Sequence, residues 1–179
     1  MRKIQNANLG RLTVDDFKLS TKQPFFIVFD NVRSMNNIGS VFRTADAFRC
    51  AGIYLCGITA TPPHREIHKT ALGAEESVEW KYEKDAASAI KKLKDDGYTI
   101  AAIEQVEGGI LLNQFIPKES AKFAFIFGHE ITGVSDEALA LCDLFIEIPQ
   151  HGTKHSLNVA VSVGIVCWNF VIEEGRMKN

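Results

Sequence analysis

An α/β fold, a mostly parallel sheet with helices on both faces, is what this chain predicts. Two observations carry the prediction. Apolar bursts of strand length recur without the polar alternation of a half-exposed sheet, which marks strands buried on both faces and hence parallel. Between the bursts, the apolar residues switch to helical spacing.

In chain order, residues 1–23 are polar and carry Arg2, Lys3, Arg11, Lys18 and Lys22; they read as a basic, helical N-terminal arm ahead of a domain spanning 24–179. The first strand is FFIVFDN (25–31). Ile38, Val41, Phe42, Ala45 and Phe48 then follow helical spacing. IYLCGI (53–58) is the second buried strand, and ESVEWKYEK (76–84) alternates, as suits an edge strand. DAASAIKKLKDDG (85–97) reads as a helix, followed by strand TIAAIEQ (99–105) and strand FAFIFG (123–128). SDEALALC (135–142) is helical and LFIEIP (144–149) closes the set of strands. The last helix, 157–172, is apolar almost all round, and apolar surface on every side needs burial on every side.

The 179 residues suffice for one domain, with 46% apolar and 23% charged residues as in an ordinary globular protein. A net charge of −2 supplies no global basic field, so any nucleic-acid partner must be met by a local patch. Cys50, Cys56, Cys142 and Cys167 sit in apolar contexts without C-x-x-C spacing, which fits buried thiols in a reducing compartment. The first residues lack a signal-peptide core, and the run 159–172 is too short and interrupted for a membrane span. A cytoplasmic protein is expected.

Ligands in such sheets bind beyond the carboxyl ends of the strands, and three segments concentrate polar residues there. In DNVRSMNNIGSVFRTADAF (30–48), Asn36 or Asn37 suits a helix N-cap, Gly39 permits close backbone approach, and Arg43 lies one and a half turns into the helix. Capping and ligand contact are both open for Asn37, as are a solvated face and a functional one for Arg43. In FGHEITGVSDE (127–137), Gly128 and Gly133 have the spacing of a phosphate loop. Val134 and Ser135 replace its Lys-Ser/Thr, so no lysine reaches a phosphate and an ATPase is excluded. Glu130 is left at the tip without a structural excuse, whereas Ser135 suits a helix cap. In IPQHGTKHSLNVAVSVGIVCW (148–168), Ser156 is the expected cap and Asn158, just inside the first turn, is a poor helix former. HREIH (64–68) has two histidines at i, i+4, but Glu66 is at the wrong offset for a zinc protease, and no metal site is expected.

Together these segments resemble the SpoU (TrmH) family of RNA ribose 2′-O-methyltransferases, of the knotted SPOUT class. The resemblance rests on Asn-x-Gly with an arginine four beyond the glycine, then Phe-Gly-x-Glu-x-x-Gly, then Ile-Pro-x-x-Gly-x-x-x-Ser-Leu-Asn-Val, in that order. Each motif alone is weak and the ordered triple is specific. Gln150 replaces a frequent methionine and His129 fills a variable slot. The resemblance implies a deep C-terminal trefoil knot, S-adenosylmethionine as cofactor and a homodimer; connection rules alone argue against a knot. It implies cofactor contacts from Gly128, Ile148, Gly152 and Leu157, with loop 149–156 around the adenosine. It implies that helix 157–172 forms half of the subunit interface, and a charge at Val163 or Val166 should give monomers or insoluble protein.

On the same resemblance Arg43 sits against the 2′-oxygen, Glu130 orients Arg43, and Asn37, Ser156 and Asn158 position substrate and loop. A guanidinium with a pKa of ~13.8 stabilises a developing alkoxide better than it serves as a base. A sulfonium donor is already activated, so no metal is needed. RNA would meet the basic arm, extended by Arg33, Arg49, Arg65 and Lys69 around the pocket mouth. With no RNA-binding domain ahead of the catalytic one, tRNA is expected before rRNA. Three alternatives stand beside this reading. A SPOUT-class base methyltransferase is the nearest, and a non-catalytic RNA-binding module would need to lose the polar set that is present. A nicotinamide enzyme lacks its glycine motif, since FDNVRSMNNIG is not Gly-x-Gly-x-x-Gly.

Overall fold

The computed structural model describes residues 1, 3, 5, 9–118 and 120–173. Its first helix, α1 (Val14–Leu19), is only six residues long, capped by the Thr13 hydroxyl accepting from the Asp16 amide. Among its described residues the arm is therefore helical only there. It is also docked rather than free, because Phe17 is buried and the Lys22 ammonium closes the helix end by donating to the Phe17 and Ser20 carbonyls. Arg2 lies outside the described residues.

Seven strands form one sheet: β1 (Gln23–Asp30), β2 (Cys50–Cys56), β3 (Trp80–Glu83), β4 (Thr99–Ile103), β5 (Ile110–Leu111), β6 (Phe123–Phe127) and β7 (Leu144–Glu147). Their order is β3-β2-β1-β6-β4-β7-β5, and all six strand pairings are parallel. The buried strands fall where the apolar bursts predict. β3 is an edge strand as expected, but it starts at Trp80, because Ala74–Ser77 forms a turn of helix (α4) instead of the front of the strand. β5 is two residues long, too short to leave a pattern, and is held by its ladder to β7.

Five helices cover one face: α1, α2 (Met35–Ala47), α3 (Arg65–Ala71), α4 and α7 (Val159–Glu173); α5 (Ala86–Asp95) and α6 (Asp136–Leu139) cover the other. Alternation along the strands sorts the side chains. Phe25, Ile27 and Phe29 of β1 and Phe123, Phe125 and Phe127 of β6 join the core under α2 and α7. Val28, Ala124 and Ile126 point to the core under α5. No helix among the described residues is long and apolar enough to cross a membrane. The cysteines are free, and burial pushes the Cys50 thiol up to about 12 and Cys142 to about 11.

α7 divides its apolar surface between two faces. Val163, Val166, Cys167 and Phe170 are buried in the chain's own core, while Val161, Ile165, Trp168 and Ile172 stand 51%, 37%, 50% and 44% exposed. Val163 and Val166 are thus not interface positions. The outward stripe at spacings of four, three and four is the face left to cover. Inward, Phe170 meets the rings of Phe25, Phe123 and Phe125 at centroid distances of 5.3, 5.7 and 5.5 Å. Phe170→Ala is expected to cost about 3–5 kcal/mol in chemical denaturation, because a fully buried ring leaves a cavity that three fixed rings cannot fill. A loss below about 1 kcal/mol would mean that this cluster collapses freely.

Candidate active site

The strand order reverses beside β1, where β6 enters between β1 and β4, and loops from the carboxyl ends of these strands meet there. Asp30, the buried last residue of β1, anchors them. One carboxylate oxygen accepts the Ser135 amide at 2.8 Å, tying β1 to the loop after β6, and the other accepts from the Asn31 side chain at 2.8 Å.

α2 is capped by Ser34, whose hydroxyl accepts from the Asn37 amide at 3.3 Å, and not by Asn36 or Asn37. Asn37 is thereby released from capping, and its side-chain oxygen accepts a hydrogen bond from the Asn158 side chain at 3.1 Å. Asn158 in turn is the N-cap of α7, accepting the Ala160 amide at 2.9 Å on its side-chain oxygen and the Ser162 amide at 2.9 Å on its carbonyl. The helix therefore begins two residues later than the spacing predicts. Ser156 is not its cap but is left facing the cavity below.

Glu130 accepts the backbone amides of Arg33 at 3.1 Å and Ser34 at 2.9 Å. Partial desolvation pushes its carboxyl up. The hydrogen bonds from Arg33, its own backbone and Ser34 outweigh this and hold it below the usual carboxylate range. The expected partnership of Glu130 with Arg43 is not what its hydrogen bonds make: both oxygens close the entry of α2.

The glycines set the shape of the loop. A Cβ on Gly128 would lie 2.0 Å from the Gly133 carbonyl carbon, and one on Gly133 would lie 2.2 Å from the Glu104 carboxylate. Glu104 takes up that space, accepting the Val134 amide at 3.1 Å and the Gln105 amide at 3.0 Å. Sequence reasoning missed Glu104; the signal was an acid ending the buried strand TIAAIEQ.

These groups enclose a cavity of about 330 Å³, lined by Ile103, Glu104, Phe127, Gly128, Glu130, Ser156, Leu157, Asn158 and their neighbours. A smaller one of about 110 Å³ shares Ile103, Glu104 and Leu157 and adds Glu147, Ile148, Gln150 and His155. Of the predicted site residues, Gly128, Glu130, Ser156, Leu157 and Asn158 line the larger cavity, Ile148 the smaller, and Asn37 joins through Asn158. Gly152 lies in the exposed loop 151–158 and lines neither. Arg43 is elsewhere in the chain. It is exposed and lines a groove of about 360 Å³ with Val14, Phe17, Asp46 and Gly73. Six residues of helix carry it about 9 Å along α2 and roughly 120° around from Asn37.

Arg33, Arg65 and Lys69 are exposed; Arg33 follows β1, Arg65 opens α3, and Lys69 lies 4.0 Å from Glu66. None of the three lines either cavity, and Arg65 lines a separate groove with Pro62, Ile67 and Trp80; Arg49 lies farther off. It precedes β2, and its carbonyl accepts the Gln23 amide at 2.8 Å at the amino ends of the strands, the opposite edge of the sheet. In HREIH, His64 caps α3 through its ring nitrogen and His68 pairs with Glu75; no metal-holding cluster occurs among the described residues.

The pattern of the SpoU rRNA Methylase family matches residues 24–168. The chain is 29% identical over 145 residues to a tRNA (guanosine(18)-2′-O)-methyltransferase of Borreliella burgdorferi, covering 81% of this chain and 65% of that protein. It is 31% identical to the tRNA (guanosine(18)-2′-O)-methyltransferase of Thermus thermophilus, covering 89% and 80%. The chain thus spans slightly under two thirds of the length of the first relative. The SpoU methyltransferase AviRb of Streptomyces viridochromogenes, solved with AdoMet, has the same fold with a TM-score of 0.77 at 20% identity, covering 92% of this chain and 65% of that one.

Proposed function

Because the chain belongs to the SpoU rRNA Methylase family, we propose that it transfers a methyl group from S-adenosylmethionine to a ribose 2′-hydroxyl of tRNA or rRNA. The observation that carries this reading is the convergence of Asn37, Gly128, Glu130, Ser156 and Asn158, from three distant segments, on one cavity at the strand ends. That cavity fits the cofactor. Ile103, Phe127, Leu157 and Val159 offer apolar walls for a purine, and the Glu104 and Glu130 carboxylates suit a ligand carrying positive charge. Ile148 and the loop 149–156 extend the same wall.

S-adenosylmethionine supplies a methyl group already activated by its sulfonium. The chain's part is to bind, to orient the ribose and to stabilise the oxygen as it attacks. Arg43 does the last through a guanidinium that keeps its proton. Asn37 and Asn158 hold each other's amides, and Glu130 fixes the turn that starts α2, so both ends of α2 take part. Arg43 and the cavity are separated in one chain, and a homodimer paired through the exposed stripe of α7 is the assembly that brings them to one substrate. The trefoil knot of the last ~50 residues belongs to this reading too, as what membership of the family implies. Arg33, Arg65 and Lys69 would meet RNA phosphates, and the free thiols fit the cytoplasm.

The test is to incubate the protein with labelled cofactor and separately with bulk tRNA and rRNA, digest the product and locate the label. Label on ribose is expected; label on a base would assign the rival base methyltransferase. Cofactor binding should also appear by calorimetry, and EDTA should leave turnover unchanged, because a sulfonium needs no Lewis acid. Chelator sensitivity would contradict the mechanism.

A further inference from the structure

We propose that Glu104 is a specificity residue that selects the cofactor by its positive charge. The proposal rests on the reading of the cavity as a site for S-adenosylmethionine. Glu104 directly follows β4, lines both adjoining cavities, and is wedged against the glycine loop in space that a side chain at Gly133 would fill. Each of its oxygens accepts one backbone amide, from Val134 at 3.1 Å and from Gln105 at 3.0 Å. Those two bonds fix the carboxylate's orientation and leave each oxygen a second lone pair for a ligand.

The surroundings decide what that ligand must offer. Among the described residues neither cavity is lined by a lysine or an arginine, and each adds a second carboxylate, Glu130 in the larger and Glu147 in the smaller. A neutral adenosine derivative entering here would displace water from the Glu104 carboxylate and give no charge in return, which is costly in a partly desolvated site. A cation entering the same space compensates it. Two groups on the cofactor carry positive charge, the sulfonium and the α-ammonium, and both present the chemistry that Glu104 would recognise. The two amides it accepts call for two acceptor oxygens and so for an acid; what they do not neutralise is its negative charge, which faces a cavity that offers no cation of its own among the described residues.

The experiment compares the wild type and Glu104→Gln by calorimetry with three ligands. S-adenosylmethionine carries both cations, S-adenosylhomocysteine only the ammonium, and 5′-methylthioadenosine neither. The substitution is expected to weaken S-adenosylmethionine about tenfold or more, the scale of losing one close charge pair, and to leave methylthioadenosine within about twofold. A parallel loss for S-adenosylhomocysteine places the carboxylate at the ammonium; a loss confined to S-adenosylmethionine places it at the sulfonium. Equal weakening of all three ligands would show a purely structural role and overturn the proposal, as would no weakening. Should the glutamine chain fail to fold, ionic strength tests the wild type. Raising salt from about 0.05 to 0.5 M should weaken S-adenosylmethionine and spare methylthioadenosine, because screening acts only on the charged ligand. Salt-independent binding of both would overturn the proposal. A wild type that binds neither S-adenosylmethionine nor S-adenosylhomocysteine would sink the cofactor reading itself, a different outcome from binding without charge selection.

Discussion

Arg43→Ala is expected to lower single-turnover methylation by roughly 10²-fold or more, the scale of removing one preorganised donor at a developing oxyanion. The structure makes this prediction sharp, because nothing about the position suggests a structural role of that size. Arg43 is exposed on α2, so its truncation should shift stability by no more than about 0.5 kcal/mol. It also lines a groove distinct from the one holding Glu130, Ser156 and Asn158. Cofactor affinity should therefore barely move, which separates Arg43 from Glu104 by measurement. Arg43→Lys should rescue poorly, since an ammonium keeps the charge without the planar fork. Near-normal turnover in Arg43→Ala would end the catalytic assignment, and a large loss of cofactor affinity would move the residue into the wrong pocket.

Ile165→Glu is expected to turn a dimer into monomers in analytical ultracentrifugation and to abolish methyl transfer. Ile165 lies on the outward stripe of α7 with Val161, Trp168 and Ile172, so the charge is harmless in a lone chain and buried without a partner in an interface. Such burial costs several kcal/mol, enough to dissociate a dimer at micromolar concentration. Val163→Glu should behave differently: Val163 is fully buried in the chain's own core, and its substitution should unfold the protein. Loss of activity is expected because of where the stripe runs. Trp168, on the C-terminal half of α7, packs against Phe48 at the end of α2, with ring centroids 6.2 Å apart. Pairing about a twofold axis perpendicular to α7 would run the two helices antiparallel and set the cavity mouth of one protomer near the α2 end of its partner. A folded, fully active Ile165→Glu monomer would show that one chain suffices.

Much of the fold was legible because buried parallel strands and amphipathic helices write their periods into the sequence. FFIVFDN, TIAAIEQ and FAFIFG could hardly be anything else, and the spacing of Ile38, Val41, Phe42 and Ala45 marks the buried side of α2 correctly. Helix ends were less legible. Ser34, Asn36 and Asn37 all suit a cap, as do Ser156 and Asn158, and propensity cannot choose among capping residues a few positions apart. Tertiary contact chose: the Asn37–Asn158 hydrogen bond joins residues 121 apart in the chain, and it exists only because Ser34 relieves Asn37 of capping.

By itself, then, the sequence determined the α/β class, the strands of the sheet interior and the residue types gathered at their carboxyl ends, since burial and local periodicity are properties of neighbouring residues. Strand order, the two-residue β5, the sorting of α7 into an inward and an outward face, the separation of Arg43 from the cavity and the place of Arg49 at the far edge were decided only by the tertiary structure. So was the role of Glu104, an unremarked acid at a strand end until Gly133, roughly 100 Å of extended chain away but adjacent in space, leaves room for its carboxylate. Each of these depends on which distant segments pack together, and a pairing between distant segments leaves no period in either one.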